Sequence, residues 1–204
     1  MLLSVLCQIK YSDGHWTLLL QISYRFFLLP MALSRSPTPP RSIPPDTIPI
    51  LLAQFYQPHG GEHWTLNVVE SSDCIHTFEI RGNRDSYTYI HDRMKNLDRV
   101  ESYRGGCHVG NIPKDKVEEM RLKLKEVAIN KQETRWNPQI WVLDSIKVLK
   151  EEGWAFNGLS EGFTRRELQK DMIRWDSVDD TVYERLVEEM KTGSPVEPTP
   201  VTMT

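Results

Sequence analysis

His63 and Cys107 are the residues of this sequence whose side chains are best suited to catalysis. His63 begins the segment "HWTLNVV", and an imidazole can act as a general acid or base near neutral pH. Cys107 lies in "RGGCHVGNI", where a thiolate would be a nucleophile. Its neighbour His108 cannot serve the same site if this segment is a strand, because adjacent strand residues point to opposite faces. His63 is therefore the leading catalytic candidate and Cys107 a weaker one, and the alternative for His63 is an ordinary half-exposed strand histidine.

The spacing of the histidines and of Cys107 does not predict a metal site. No pair among them has the i,i+4 separation of a helical site or the C-x-x-C separation of a zinc ribbon. The residues compared are His63, His76, His91, His108 and Cys107. The sequence also lacks a glycine-rich phosphate loop and a G-x-S-x-G nucleophile elbow. We expect neither a metal nor another cofactor.

The segment "RWNPQIWVLDSIKVLKEEG", residues 135–153, predicts a helix with a clear start and end. The Asn137 side chain can accept hydrogen bonds from the first turn, and Pro138 suits the first helical position. Gly153 can adopt the left-handed conformation that commonly closes a helix. Apolar residues recur at helical spacing between these ends, so one face, including Trp141, is expected to pack against a core.

Five short segments between Ile48 and Ile112 predict strands separated by turns too short to hold helices, so the strands should pair antiparallel. Alternation within them assigns side chains to faces. Cys74, His76, Phe78 and Ile80 share one face of their strand. In the preceding strand His63, Thr65, Asn67 and Val69 oppose Trp64, Leu66 and Val68.

From Pro113 onward the apolar period becomes helical. The first helix should bury Val117, Met120, Leu124 and Val127, and Thr164 with Glu167 has the spacing of a capping box at a later helix start. Strands followed by helices predict the α+β class. We expect one domain over residues 48–192, a poorly ordered extension over residues 1–47 and a disordered tail over residues 193–204.

Charge and composition exclude several classes of function. The formal net charge of −3 does not favour a nucleic-acid partner. The apolar segment "TLLLQISYRFFLLP" is interrupted by polar residues and is shorter than the roughly 20 residues of a membrane span. Three cysteines, Cys7, Cys74 and Cys107, are too few for a disulfide framework, so we expect a reducing, cytoplasmic location, the alternative being at most one disulfide bridge.

The order of these motifs resembles that of circularly permuted papain-like domains. The resemblance covers residues 61–153 and consists of the histidine-led strand "EHWTLNVV", "CIHTFEIRGN", the "CHVGNIPKDKVEEM" segment and "RWNPQIWV". Such domains include the PPPDE peptidases, the lecithin:retinol acyltransferase group and fungal domains of unknown function. In that family a histidine at the head of a strand activates a cysteine at the start of a later helix, which commonly begins Trp-Asn-Cys-Gln.

The resemblance implies a cleft from which the nucleophile has been lost. His63 matches the family's histidine, whereas Pro138 occupies the position of its cysteine. We therefore expect a non-catalytic protein that binds a small molecule or peptide in that cleft. The residues expected to contact the ligand are Trp64, Asn137, Gln139 and Trp141. The alternatives are an amide or ester hydrolase or acyl-transfer enzyme with His63 as base and another nucleophile or water, and a tailoring protein of fungal secondary metabolism.

Overall fold

The computed structural model describes residues 43–58, 61–177 and 179–193 in full and the backbone of residues 5–12 and 15–22. The chain divides into two compact units, residues 1–36 and residues 37–204. The first contains an antiparallel hairpin of strands β1 (Val5–Ser12) and β2 (His15–Ile22), which the sequence analysis does not predict. Residues 194–204 of the expected tail lie outside the described residues.

The second unit is built on a five-stranded sheet. Its strands in chain order are β3 (Thr47–Phe55), β4 (His63–Ser71), β5 (Cys74–Arg81), β6 (Thr88–Met94) and β7 (Tyr103–Pro113). They lie side by side in the order β6-β5-β4-β3-β7, and every neighbouring pair is antiparallel. Four helices follow the sheet along the chain, so the predicted α+β class is confirmed.

The helices are α1 (Val117–Glu126), α2 (Pro138–Glu151), α3 (Glu161–Asp176) and α4 (Val182–Thr192). Helices α1 and α2 pack on the sheet face that carries Trp64, Leu66 and Val68, which we call the α2 face. Helix α4 packs on the opposite face, the α4 face, against Leu51 and Tyr103. No helix in the described part of the chain combines the length and the apolar character that a bilayer crossing needs.

The alternation predicted for the central strands is confirmed. Trp64, Leu66, Val68, Phe78 and Ile80 are all buried in the core of the α2 face. Val69 and Ile75 belong instead to the core of the α4 face. Since side chains alternate along a strand, each of these strands contributes to both cores.

Helix α2 begins and ends where its sequence predicts. The side-chain oxygen of Asn137 accepts hydrogen bonds from the backbone N–H groups of Gln139, at 3.0 Å, and Ile140, at 3.2 Å. Pro138 occupies the first helical position, and Gly153 follows the helix with φ of 74°. The buried residues of this helix are Trp141, Val142, Ser145, Ile146 and Leu149, which is the apolar face read from the sequence.

Glycines in β7 allow other backbone segments to lie directly against the strand. A Cβ atom on Gly110 would lie 1.9 Å from the carbonyl oxygen of Trp154, where Gly110 also forms a bridge with Ala155. Gly105 has φ of 97°, and a Cβ there would lie 2.9 Å from the backbone of Asp171 in α3. The glycine-rich segment around Cys107 is therefore explained by close packing on both sides of the strand.

Helix α3 differs from its predicted start. Helix α3 begins at Glu161, where the Ser160 side chain accepts from the N–H of Phe163, and Thr164 is buried inside the helix. The capping box occurs at α4, between Thr181 and Glu184. Only two residues define a capping box, so the motif alone does not fix where a helix begins. Thr164 is buried inside the helix and cannot cap it, so the prediction at Thr164 was wrong.

Candidate functional site

A histidine–carboxylate pair lies at the start of β4, on the α4 face. The Nε2 atom of His63 is 2.6 Å from the Oε2 atom of Glu79, on the neighbouring strand β5. The side chains of His63 and Glu79 are 17% and 8% exposed, so this contact is largely shielded from water. A carboxylate on one imidazole nitrogen orients the ring and leaves the other nitrogen available to a ligand.

The second oxygen of Glu79 binds Arg81. The Arg81 Nε and Nη2 atoms lie 2.8 Å and 2.6 Å from Glu79 Oε1, and Nη2 also lies 2.9 Å from Asp92 Oδ2 on β6. Burial alone would raise the pKa of Glu79, but the hydrogen bonds from His63 and Arg81 outweigh it and lower the pKa. The hydrogen bond to Glu79 in turn raises the pKa of Arg81. Glu79 is thus an ionised carboxylate at neutral pH.

Next to this pair, three buried polar residues form their own network. The Asn67 side chain donates to Thr65 Oγ1 at 2.7 Å and accepts from Thr77 Oγ1 at 2.9 Å. All three residues are nearly inaccessible to solvent. Because buried polar groups are costly unless paired, these bonds hold the threonines in fixed positions.

The two threonines, together with His63 and Glu79, form the floor of a solvent-open groove of about 340 Å³. Its apolar lining includes Phe55, Tyr56 and Met94, and its polar lining includes His63, Thr65, Thr77, Glu79, Arg81 and Asp92. At one end the guanidinium of Arg104 lies over the rings of Tyr56, at 5.6 Å, and Trp175, at 4.0 Å. A fixed polar floor with apolar walls is the usual construction of a small-ligand site.

In the described part of the chain, no hydroxyl or thiol forms a hydrogen bond with His63. A catalytic nucleophile is normally within hydrogen-bond reach of its base. The only partner of the His63 ring that the described hydrogen bonds include is Glu79. The arrangement can therefore orient a ligand or a water molecule.

Two predicted ligand contacts are in the core. Trp64 is 1% exposed and Trp141 is 0% exposed, and both belong to the cluster on the α2 face. Arg165 covers the ring of Trp64 at 4.8 Å, and Tyr89 packs on Trp141. The structure therefore gives both tryptophans a packing role, which is the alternative that their helical and strand spacing also allowed.

The other two predicted contacts join elements of the fold. Asn137 caps α2, as described above. The Gln139 side chain donates to the carbonyl oxygen of Glu62 at 2.8 Å and so fixes the start of α2 beside the start of β4. The side-chain oxygen of Asn137 and both polar side-chain atoms of Gln139 are thus engaged by the protein itself.

His63 and α2 lie on opposite faces of the sheet. Helix α2 packs on the face of Trp64, whereas the His63 side chain points to Glu79 and contacts Phe55 on the α4 face. The structure thus brings the backbone starts of α2 and β4 together through Gln139 and Glu62, but the His63 ring is directed away from the helix.

Cys107 and His108 do not form a pair. Cys107 is buried on the α2 face, and burial raises the pKa of its thiol far above the ordinary value. The His108 ring binds the Gly110 carbonyl and Asn111 instead. A thiol held neutral in this way lacks the thiolate that nucleophilic catalysis requires.

The residues that the sequence analysis missed are Glu79 and Arg81. Their signal was present, because the alternation that assigns Phe78 and Ile80 to one face assigns Thr77, Glu79 and Arg81 to the other. What the sequence did not provide was the register, which places Glu79 beside His63.

Comparisons of this chain with protein-family models, with curated proteins and with solved structures gave no significant match.

Proposed function

We propose that this protein is a non-catalytic binding protein and that its site is the groove around His63 and Glu79. The observation that carries the proposal is the open groove itself, whose floor consists of buried, hydrogen-bonded polar side chains. Such a floor offers fixed donors and acceptors to a ligand, and among the described residues no nucleophile is bonded to His63.

The size and charge of the groove indicate the class of ligand. A volume of about 340 Å³ is at the lower end of small-molecule sites, so a small molecule or the side chain of a peptide is the expected occupant. Two carboxylates, Glu79 and Asp92, face one guanidinium, Arg81. Arg104 adds a second guanidinium at one end of the groove, so the charges of these groups balance and the groove favours neutral ligands with hydrogen-bonding groups.

The resemblance to permuted papain-like domains is kept as part of this proposal. It is supported by the order of the elements, in which a strand that begins at His63 precedes a helix that begins at Asn137 and Pro138. The groove lies on the sheet face opposite to α2, so the binding proposal does not depend on a cleft between His63 and Pro138. We also propose a cytoplasmic location, supported by the free thiols of Cys74 and Cys107 in the described part of the chain.

Binding can be tested by measuring thermal unfolding with a panel of amino acids, dipeptides and small amines. We expect members of the panel to raise the melting temperature of the wild type, because a ligand that binds only the folded state stabilises it. The shift should be lost in His63→Gln and in Thr77→Val. It should persist in Lys147→Gln, since Lys147 is exposed on α2 and pairs only with Asp144 among the described residues. A shift that is equal in all four proteins would place binding outside the groove.

A hydrolase that uses water as nucleophile is the second candidate. The specific observation in its favour is the His63–Glu79 contact, because catalytic bases are commonly oriented by a carboxylate. If this candidate is correct, His63→Ala lowers hydrolysis of an ester or amide panel by roughly 10²–10⁴-fold without loss of folding. We expect no turnover above the uncatalysed rate, and turnover that depends on His63 would replace the binding proposal.

A further inference from the structure

Glu70, Cys74 and His76 meet at the β4–β5 hairpin, on the α2 face of the sheet. The Cys74 Sγ atom lies 2.9 Å from Glu70 Oε2, and His76 Nε2 lies 3.4 Å from Glu70 Oε1. One side-chain atom from each residue, a carboxylate oxygen, Sγ and an imidazole nitrogen, lies within 4.8 Å of the other two. The groove of the proposed function is on the opposite face, so the two sites are independent.

The backbone of the hairpin explains why these side chains meet. Cys74 and His76 are two residues apart in β5 and therefore project from the same face. In β4 the register shifts between Val69 and Ser71, so that Glu70 lies at an irregularity of the ladder. Irregularities of this kind re-aim a side chain, and here the Glu70 carboxylate lies beside the two β5 residues.

His76 is the member of the cluster that points to a ligand. It is 5% exposed, and its buried Nε2 atom forms no hydrogen bond with another described residue, although Glu70 Oε1 lies 3.4 Å away and Cys74 is close by. A buried polar atom without a partner is costly, so such an atom in a native protein calls for an explanation. A bound cation in the space between the three side chains would supply one.

His91 holds the His76 ring in a suitable state. The Nδ1 atom of His76 lies 3.2 Å from Nε2 of His91, and the two rings stack at 5.4 Å. If His76 donates its Nδ1 proton to His91, the lone pair on Nε2 faces the cluster, which is the form that binds metals. A hydrogen bond on the far nitrogen is the usual support of a histidine ligand. His91 is itself fixed by stacking on Phe78 at 4.8 Å.

We propose that Glu70, Cys74 and His76 bind a divalent transition-metal ion, with zinc as the favoured ion. A thiolate, an imidazole and a carboxylate are the three ligand types that zinc prefers. Ligand atoms around tetrahedral zinc are roughly 3.5 Å apart, a spacing within the range found here. The Glu70 side chain is 41% exposed, so it can adjust, and water can occupy the fourth position. This site departs from the sequence-based expectation of no metal.

Charge and proton balance are consistent with this assignment. A cysteine thiol is protonated at neutral pH unless its surroundings stabilise the thiolate, so it must lose its proton to become a metal ligand. On binding, the metal–sulfur bond forms and the thiol proton leaves to solvent, so one proton is released per ion. Thiolate and carboxylate then neutralise the two charges of the ion.

The proposal can be tested with cobalt(II), whose spectrum reports its ligands. Metal-free full-length protein is titrated with Co²⁺ and the near-ultraviolet and visible spectra are recorded. We expect a thiolate-to-cobalt charge-transfer band and the intense visible bands of four-coordinate cobalt, both removed by one equivalent of Zn²⁺. The charge-transfer band should be absent in Cys74→Ser and present in Cys7→Ser, and His91→Gln should keep it while weakening affinity by about 10–100-fold.

Glu70→Gln provides a variant that does not threaten folding, because Glu70 is exposed at the hairpin. It should bind cobalt more weakly than the wild type while its thermal unfolding in chelator stays unchanged. The proposal is overturned if the wild type shows no charge-transfer band, or if the band persists in Cys74→Ser. An affinity that is equal in the wild type and in Glu70→Gln would also overturn the ligand set.

Discussion

At the scale of single residues, Glu79 forms the hydrogen bonds that hold the charged groups of the groove in place. It accepts from His63 with one oxygen and from Arg81 with the other, although its side chain is only 8% exposed. A buried carboxylate is stable in its ionised form only when such partners are present. The direction of its pKa shift therefore gives a pH dependence that can be measured.

We expect Glu79→Gln to destabilise the protein by about 1–3 kcal/mol at neutral pH, because hydrogen bonds to a charged group are lost. The folded-state pKa of Glu79 is below its ordinary value of 4.5. Its stabilising contribution is thus present above pH 4.5 and is lost as the pH falls through the lower, folded-state pKa. Urea unfolding of both proteins at pH 7 and below pH 4 checks this. A difference that stays constant across this range would contradict it.

Gly110 is the glycine of β7 whose replacement would bring a side chain closest to another backbone segment. Its Cβ would lie 1.9 Å from the carbonyl oxygen of Trp154, which is backbone and has little room to move. We expect Gly110→Ala to lower the free energy of unfolding by about 3 kcal/mol. The matched control is Gly162→Ala in α3, where nothing lies within 4 Å, and it should raise stability by up to about 1 kcal/mol. Chemical denaturation measures both.

At the scale of elements, Asp171 joins α3 to two neighbours. Its carboxylate accepts from the N–H of Gly106 in β7 at 2.7 Å and from the N–H of Val182 at the start of α4 at 2.9 Å. Arg174 and Arg185 lie 3.6 Å and 3.9 Å away. One buried carboxylate thus positions a strand and two helices.

Asp171→Ala should therefore cost about 3–5 kcal/mol, because it leaves the N–H groups of Gly106 and Val182 without their acceptor and removes the buried carboxylate beside Arg174. Glu167→Ala, one turn earlier in α3, removes only an exposed pair with Lys170 and should cost roughly 0–1 kcal/mol. Thermal and urea unfolding of the two variants give the comparison. Equal losses would show that Asp171 does not hold the elements together.

The start of α2 provides a test of the family resemblance. In Pro138→Cys the new thiol would lie at a helix amino end, which lowers its pKa from about 8.5 toward roughly 7. Since His63 points to the other sheet face, we expect the pH profile of alkylation at position 138, followed by peptide mass spectrometry, to be the same with and without His63→Ala. A profile that moves to higher pH when His63 is removed would instead show a papain-like pairing of the two positions.

At the scale of the whole molecule, the part of the chain described from residue 43 onward has two hydrophobic clusters of its own. The backbone N–H of Ile43, at the start of this part, donates to Glu189 of α4 at 2.6 Å. We expect a chain that begins at residue 37 to keep the unfolding free energy of the full chain within about 0.5 kcal/mol. Urea denaturation of the two chains is the measurement. A loss of several kcal/mol would show that the first unit stabilises the second.

Local patterns of this sequence determined the elements and their faces. Asn137, Pro138 and Gly153 define α2 because capping depends on a few adjacent residues. The alternation in β4 and β5 assigned each side chain to a face because the period of a strand is two. The α+β class followed from the order of these periods along the chain.

Tertiary structure decided which of those side chains meet. The pairing of β4 with β5 places Glu79 beside His63, and the irregularity at Glu70 brings its carboxylate to Cys74 and His76. No pattern in the sequence predicts either contact, because the register of two paired strands depends on how both faces of the sheet are packed. The direction of His63, away from α2, was decided in the same way. Helix α2 packs on the face of Trp64, because the fold is more stable with Trp64 and Trp141 both buried than with either of them exposed.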